Sequence, residues 1–175
     1  MFSKNEGYPF CPRGSRKECD GDLYFRRHTF SFKSKSRQAY IVEVDEFEEF
    51  QLYVVKFYLK AHRYSKRKFQ LLTKLNEPAG IITTCINIMA HFYEKNPYCS
   101  FGFIGMNSEN ETEYATKRYR VYQKVMCRLF SPVQFLHYEY RPKSAYLLLN
   151  RDYAETHSNL MSDIEQFFNK HYILS

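Results

Sequence analysis

Tryptophan is missing from this chain of 175 residues, and glycine, proline and cysteine are scarce, at six, six and five. Five scattered cysteines do not make a disulfide framework, and their odd number speaks against an oxidised, secreted protein. No Cys-x-x-Cys and no His pair at zinc spacing accompanies them, which removes a structural zinc site from the reading. Cys11 and Cys19 are spaced to pair across a loop, whereas Cys85, Cys99 and Cys127 read as small buried hydrophobes in a reducing compartment. No apolar run reaches the roughly 20 residues that a helix needs to cross a bilayer. Met1 to Lys17 is polar and has no apolar core of the kind a secretory leader carries. These absences point to a cytoplasmic protein with no membrane partner. There is no internal repeat and no low-complexity tract.

What is present is aromatic. Sixteen Tyr and sixteen Phe stand in for the missing Trp, and 44% of the chain is apolar although its mean hydropathy is −0.58. A Tyr ring packs as an apolar body and keeps a hydroxyl that seeks a partner, so a core can be dense and the sequence still look polar. Length and composition indicate one domain with a substantial core. The net charge of +7 is one-sided: the whole excess falls before Leu75, with bases and acids balanced after it. Such an asymmetry suits a polyanionic partner, either nucleic acid or an acidic protein.

Along the chain, Gly7, Pro9, Pro12, Gly14 and Gly21 mark residues 1–22 as an irregular arm, followed by a single α+β domain over 23–175. Aromatic and β-branched residues predict strands over Tyr24–Phe32, Tyr40–Asp45, Gln51–Lys60 and Phe69–Thr73. In the second of these, Tyr40, Val42 and Val44 share one face and the carboxylates Glu43 and Asp45 the other. His62 to Lys68 reads as a polar hairpin tip. Asn76 as cap and Pro78 in the first turn open a helix whose inward side is Ile81, Ile82, Cys85, Ile86, Met89, Phe92 and Tyr93. Phe101–Gly105, apolar on both faces, predicts a buried central strand. Glu109, Glu111 and Glu113 suit the start of a second helix, where the macrodipole favours negative charge. Ala115, Tyr119, Tyr122, Val125, Met126 and Leu129 form its inward stripe. Strands over Phe135–Tyr140 and Ala145–Leu149 and a last amphipathic helix close a mostly antiparallel α+β fold of order ββββ-α-β-α-ββ-α.

That order resembles the GCN5-related N-acetyltransferase fold, in which an antiparallel sheet leads into a helix, a strand, a second helix and a closing pair of strands. The segment Tyr119-Arg-Val-Tyr-Gln-Lys-Val-Met126 is similar to the family's helix carrying a Tyr before an acidic or amide residue and Lys. The resemblance implies acetyl-CoA as cofactor, with two central strands splayed apart to admit its pantetheine arm. It places Tyr122 as general acid for the departing thiolate, Asn107 as the strand-end Asn, and Ala79 and Gly80 at the pyrophosphate. The family's run of spaced glycines is reduced here to Leu75-Asn-Glu-Pro-Ala-Gly80, with Glu77 an anion in the anion's place. The implied protein is a divergent acyltransferase or a descendant that has lost CoA binding. Ala79-Gly-Ile81 and Thr116-Lys-Arg-Tyr119 also resemble a small bacterial family of unknown function.

Two further constellations carry chemistry. Arg63, Lys66, Arg67 and Lys68, with Lys117, Arg120 and Lys124 on the second helix, are candidates for phosphate contacts, and interleaved Tyr64, Tyr24 and Phe25 offer rings for base stacking. A non-enzymatic binding protein of this kind, such as an accessory factor of a mobile element or of defence, is the alternative to the acyltransferase. Asp45, Glu46, Glu48 and Glu49 are the one dense carboxylate cluster. A ribonuclease-H-like metal site draws its carboxylates from several elements, so this local cluster reads instead as a solvated strand end. The six histidines are singletons, and no nucleophile–base pair emerges from their spacing.

Overall fold

A computed structural model of the protein describes residues 7–69, 77–104, 117–140 and 145–171. Strands β1 (Phe10–Asp20), β2 (Leu23–Lys33), β3 (Ala39–Phe47) and β4 (Leu52–Leu59) run consecutively and antiparallel. Helix α1 (Pro78–Lys95) then crosses to β5 (Ser100–Ile104), which lies parallel to β4. Helix α2 (Lys117–Leu129) leads to the hairpin β6 (Phe135–Tyr140) and β7 (Ala145–Asn150), with β7 inserted beside β5. A short α3 (Arg151–Thr156) and α4 (Leu160–His171) finish the chain. The seven-stranded sheet has the order β1-β2-β3-β4-β5-β7-β6, antiparallel except between β4 and β5. No helix among the described residues is long and apolar enough to cross a membrane.

The segment expected to be an irregular arm is largely strand. Pro12, Gly14 and Gly21 are accommodated by β-structure rather than breaking it, while Gly7 and Pro9 precede the strand. Asp20 pairs with Leu23 across a two-residue turn whose first residue, Gly21, has φ of +60°, the geometry that a tight hairpin asks of glycine. Gly14, at φ +133°, takes up a bulge where the β1–β2 register shifts. Pro12 sits on the outermost strand, where a missing ladder donor costs least. Of the strand expected over Phe69–Thr73, all but Phe69 lies outside the described residues, as do Glu109, Glu111, Glu113 and Ala115.

Side chains alternate across each strand, and the sheet buries both faces. On one side Phe30, Phe32, Tyr40, Val42, Val44, Tyr53, Val55, Phe101 and Phe103 pack under α1 and α2, with Ile81, Ile82, Cys85, Ile86, Met89, Tyr119, Tyr122 and Met126. On the other, Phe47, Leu52, Val54, Leu147 and Leu149 receive Leu160, Ile164, Phe167 and Phe168 of α4. Pro78 opens α1 as expected, but the residue at its cap is Glu77 rather than Asn76, and Glu77 makes no side-chain cap. Among the cysteines, Cys85 and Cys99 are buried, while Cys127 is exposed, one position past the buried Met126 on α2. Cys11 and Cys19 are free. They lie eight residues apart on the same strand, roughly 26 Å at about 3.3 Å per residue, so they do not bridge.

Helix α4 covers only part of its side of the sheet, and the remainder is ionic. Asp45, 1% exposed, takes both Arg27 Nε at 2.7 Å and Nη2 at 3.1 Å, and Lys56 Nζ at 2.6 Å. Glu43, also buried, lies 3.6 Å from Arg27 Nε and 3.2 Å from Lys68 Nζ. Lys68 in turn sits over the ring of Tyr58, 4.2 Å from its centroid, so the 60–69 turn roofs the cluster. Asp45 is therefore no part of a solvated strand end, contrary to the sequence expectation. Its partners come from neighbouring strands, which alternation within β3 does not reveal. Burial pushes the Asp45 carboxyl up, but the Arg27 hydrogen bonds and the charges of Lys56 and Arg27 outweigh it and hold the group below its ordinary value. The stabilisation this gives is complete above the unfolded-state value of about 3.9 and is lost as pH falls through the lowered one. Asp45→Asn should cost about 3 kcal/mol at neutral pH, the lower end for breaking a buried ionic cluster, because Glu43 remains beside Arg27. Urea unfolding at pH 7 checks this, and the gap between the two proteins should narrow below about pH 4.

Candidate functional site

The parallel junction is the natural place to look for a cleft. β4 and β5 pair from Leu52 with Ser100 through Val55 with Phe103, one residue before the described part of β5 ends at Ile104. Tyr122 of α2 lies at this point. Its ring centroid is 5.3 Å from that of Phe103 and 6.4 Å from that of Phe57, and the residue is 2% exposed. Rings from three elements thus pack together beside the last parallel rung.

Ala79 and Gly80 occupy the first turn of α1, Ala79 exposed and Gly80 half-buried. A Cβ built on Gly80 would stand 2.7–2.8 Å from the Tyr8 ring, so the absent side chain makes room for the protein's own N-terminal segment. The Tyr8 amide donates to Thr84 Oγ1 at 2.8 Å, and that hydroxyl donates to the Gly80 carbonyl at 2.8 Å, which ties the two together. Glu77 turns away from the helix end. Its carboxylate accepts from the Ser36 amide at 2.7 Å and the Ser36 hydroxyl at 2.9 Å, and hydrogen bonds from the 34–36 turn hold its pKa down. Asn107 lies outside the described residues.

The basic candidates divide. Arg63, Lys66 and Arg67 are exposed on the 60–69 turn, with Arg63 stacked on Tyr64, 4.4 Å from a ring that is itself 85% exposed. Lys68 is folded inward onto Glu43 and Tyr58, so it leaves that surface. Arg120 and Lys124 are exposed on α2, whose packing is on the opposite face of the sheet from the one Lys68 covers, and Lys117 opens that helix. The two sets do not form a single stripe. The turn instead gains other company. Tyr40 pairs with Leu59, so the 34–38 and 60–69 turns share one end of the sheet, and the Ser36–Glu77 bonds bring the start of α1 there. Lys33, Lys35, Arg37, Lys60, Arg63, Lys66 and Arg67 are all exposed along this rim. Asp20, Asp22, Glu48 and Glu49 crowd the other end, beside Lys17.

A second constellation escaped the sequence reading. Ser15 pairs with His28 across the first hairpin, and Ser15 Oγ lies 2.7 Å from His28 Nδ1. His28 Nε2 lies 2.7 Å from Glu46 Oε2 on β3, and Tyr53 donates its hydroxyl to Glu46 Oε1 at 2.9 Å. Thirteen and eighteen residues separate these partners in sequence, and only the hairpin register joins them. With residues 1–22 read as irregular, that register was invisible; the Asp20-Gly-Asp22 turn was the available signal. Among the described residues no group of three or more His, Cys, Asp or Glu is placed to hold a metal ion.

Gly80→Ala should lower stability by about 1–3 kcal/mol as an overpacked contact, and Tyr8→Ala in the same chain should recover most of the loss. A double-mutant cycle in urea measures this coupling. Scans against models of known protein families, against curated proteins and against solved structures return no match to this chain.

Proposed function

We propose that the chain is a nucleic-acid-binding protein built on an acetyltransferase-like scaffold whose acyl-CoA site is occupied by its own side chains. The observation that carries this reading is the rim of seven exposed Lys and Arg at one end of the sheet. Lys and Arg at this density neutralise phosphates with little regard to sequence. Tyr64, exposed and backed by Arg63, adds a stacking surface for a base, which an acidic protein would not require. A single-stranded ligand suits the rim best, because bases must be unpaired to stack.

One observation favours the acyltransferase alternative: among the described strands, a single parallel pair stands in an otherwise antiparallel sheet. Against it stand Tyr122 wedged between Phe57 and Phe103, and Tyr8 lying over Gly80. A pantetheine arm and a pyrophosphate would have to displace both. The nuclease reading loses support because Asp45 is neutralised by Arg27 and Lys56.

Fluorescence anisotropy with a labelled single-stranded RNA or DNA should show binding that weakens steeply with salt. Replacing Arg63, Lys66 and Arg67 by Ala should flatten the slope of log K against log salt by about 2, near 0.7 for each lost phosphate contact. Binding that ignores both salt and these substitutions would refute the proposal, and binding to an acidic peptide alone would transfer the rim to a protein partner. Acetyl-CoA at millimolar concentration should leave the thermal midpoint unchanged, whereas a rise of several degrees would restore the acyltransferase reading.

A further inference from the structure

The Ser15–His28–Glu46 relay lies away from the basic rim and links three strands through side-chain hydrogen bonds. Glu46 is a carboxylate acceptor on both oxygens, from Tyr53 on one side and His28 on the other. In the neutral imidazole, His28 Nε2 then carries the hydrogen, Nδ1 accepts, and the Ser15 hydroxyl donates to it. This is the arrangement in which an imidazole withdraws a proton from a serine while a carboxylate fixes its tautomer. Ser15 is exposed at the mouth of the relay, and the side chains of His28 and Glu46 behind it are mostly covered, at 17% and 20% exposed. The Phe92 ring stands edge-on to His28, 4.9 Å between centroids, and restricts its rotation.

The relay opens on a cavity of about 330 Å³ whose lining includes Pro12, Phe30, Tyr53, Phe92, His91 and Lys95. Its floor is aromatic and its cationic group is Lys95, so it fits a small ligand with an apolar arm and a centre that gains negative charge. The Gly14 bulge, at φ +133°, immediately precedes Ser15 and sets the nucleophile at a local bend of the outermost strand.

We propose that Ser15, His28 and Glu46 form a nucleophilic relay that hydrolyses small carboxylic esters through an acyl-serine. Ser15 Oγ attacks the carbonyl carbon as its proton passes to His28 Nδ1, and the carbonyl oxygen becomes an oxyanion whose charge Lys95 offsets. The C–O bond to the alcohol then breaks, and the leaving oxygen takes the proton from Nδ1. Water attacks the acyl-serine next, giving its proton to Nδ1, and collapse returns that proton to Ser15 Oγ with release of the carboxylic acid. Water is the one co-reactant. Ser15 is the catalytic nucleophile and His28 the base. Glu46 is a positioning residue, acting through the imidazole.

The folded protein is incubated with a fluorophosphonate probe, which a serine opens by displacing fluoride, and the adduct is mapped by peptide mass spectrometry. One adduct on the peptide holding Ser15 is expected, with none in Ser15→Ala, a substitution at an exposed site that should leave the thermal midpoint unchanged. His28→Gln should slow labelling by about 100-fold or more, the usual contribution of a general base. With p-nitrophenyl butyrate as substrate, Glu46→Gln should lower kcat and leave KM unchanged. Labelling that persists in Ser15→Ala, that fails in the wild-type protein, or that is no faster than in the heat-unfolded chain would overturn the proposal.

Discussion

Four rungs of parallel pairing, Leu52 with Ser100 to Val55 with Phe103, join a four-stranded antiparallel meander to a three-stranded antiparallel unit. Everything else is arranged around that seam. A parallel neighbour cannot be reached by a tight turn, so the chain must leave the sheet and return through a crossover, and α1 is that crossover. Because it starts and ends at opposite ends of the sheet, α1 lies along it and is buried over most of its length, from Ile81 to Phe92. The seam also decides where rings go. Tyr53, Val55, Phe101 and Phe103 face the α1–α2 layer, whereas Leu52 and Val54 face α4, so the two hydrophobic layers meet back to back across the same four rungs.

The ionic cluster around Asp45 follows from what the helices leave uncovered. Helix α4 packs on Leu147, Leu149, Leu52, Val54 and Phe47, and the stretch of the meander around Glu43 and Asp45 needs another roof. The 60–69 turn supplies that roof with long amphipathic side chains. Lys68 of the turn and Lys56 of β4 set their ammonium groups over the rings of Tyr58 and Phe69 and carry their charge to Glu43 and Asp45. Aromatic rings and ions therefore share a layer that a larger domain would fill with a helix. The same turn exposes Arg63, Lys66 and Arg67 outward, so it holds the sheet down with one side and presents charge with the other.

Periodicity made the α+β class, the central strands and α1 legible, because each writes a strong repeat: Tyr40, Val42 and Val44 for a strand, Ile81 through Phe92 for a helix. The first strand was hidden by residues that usually interrupt strands. Gly14, Gly21 and Pro12 read as loop signals locally, and only the partner strand shows that a bulge, a tight turn and an edge position absorb them. The candidate sites were less legible still. Gly80 looked like a place for a ligand to approach and is a place for Tyr8; Lys68 looked like one more surface cation and is turned inward onto the buried Glu43. Ser15, His28 and Glu46 lie on three strands, and a constellation fixed by cross-strand register has no signature along the chain.

The bulge at Gly14 has a consequence for how the molecule meets its own copies. A sheet whose outermost strand is long and flat invites another chain to add itself, rung upon rung. Here β1 is eleven residues long and widely exposed, yet a strand laid against it would meet Pro12 without a donor, then a change of register at the bulge, then the charged side chains of Arg16 and Lys17. Each interrupts the repeat that extended stacking needs. The irregularity that disguised this strand in the sequence thus breaks the regular edge on which a fibre would grow.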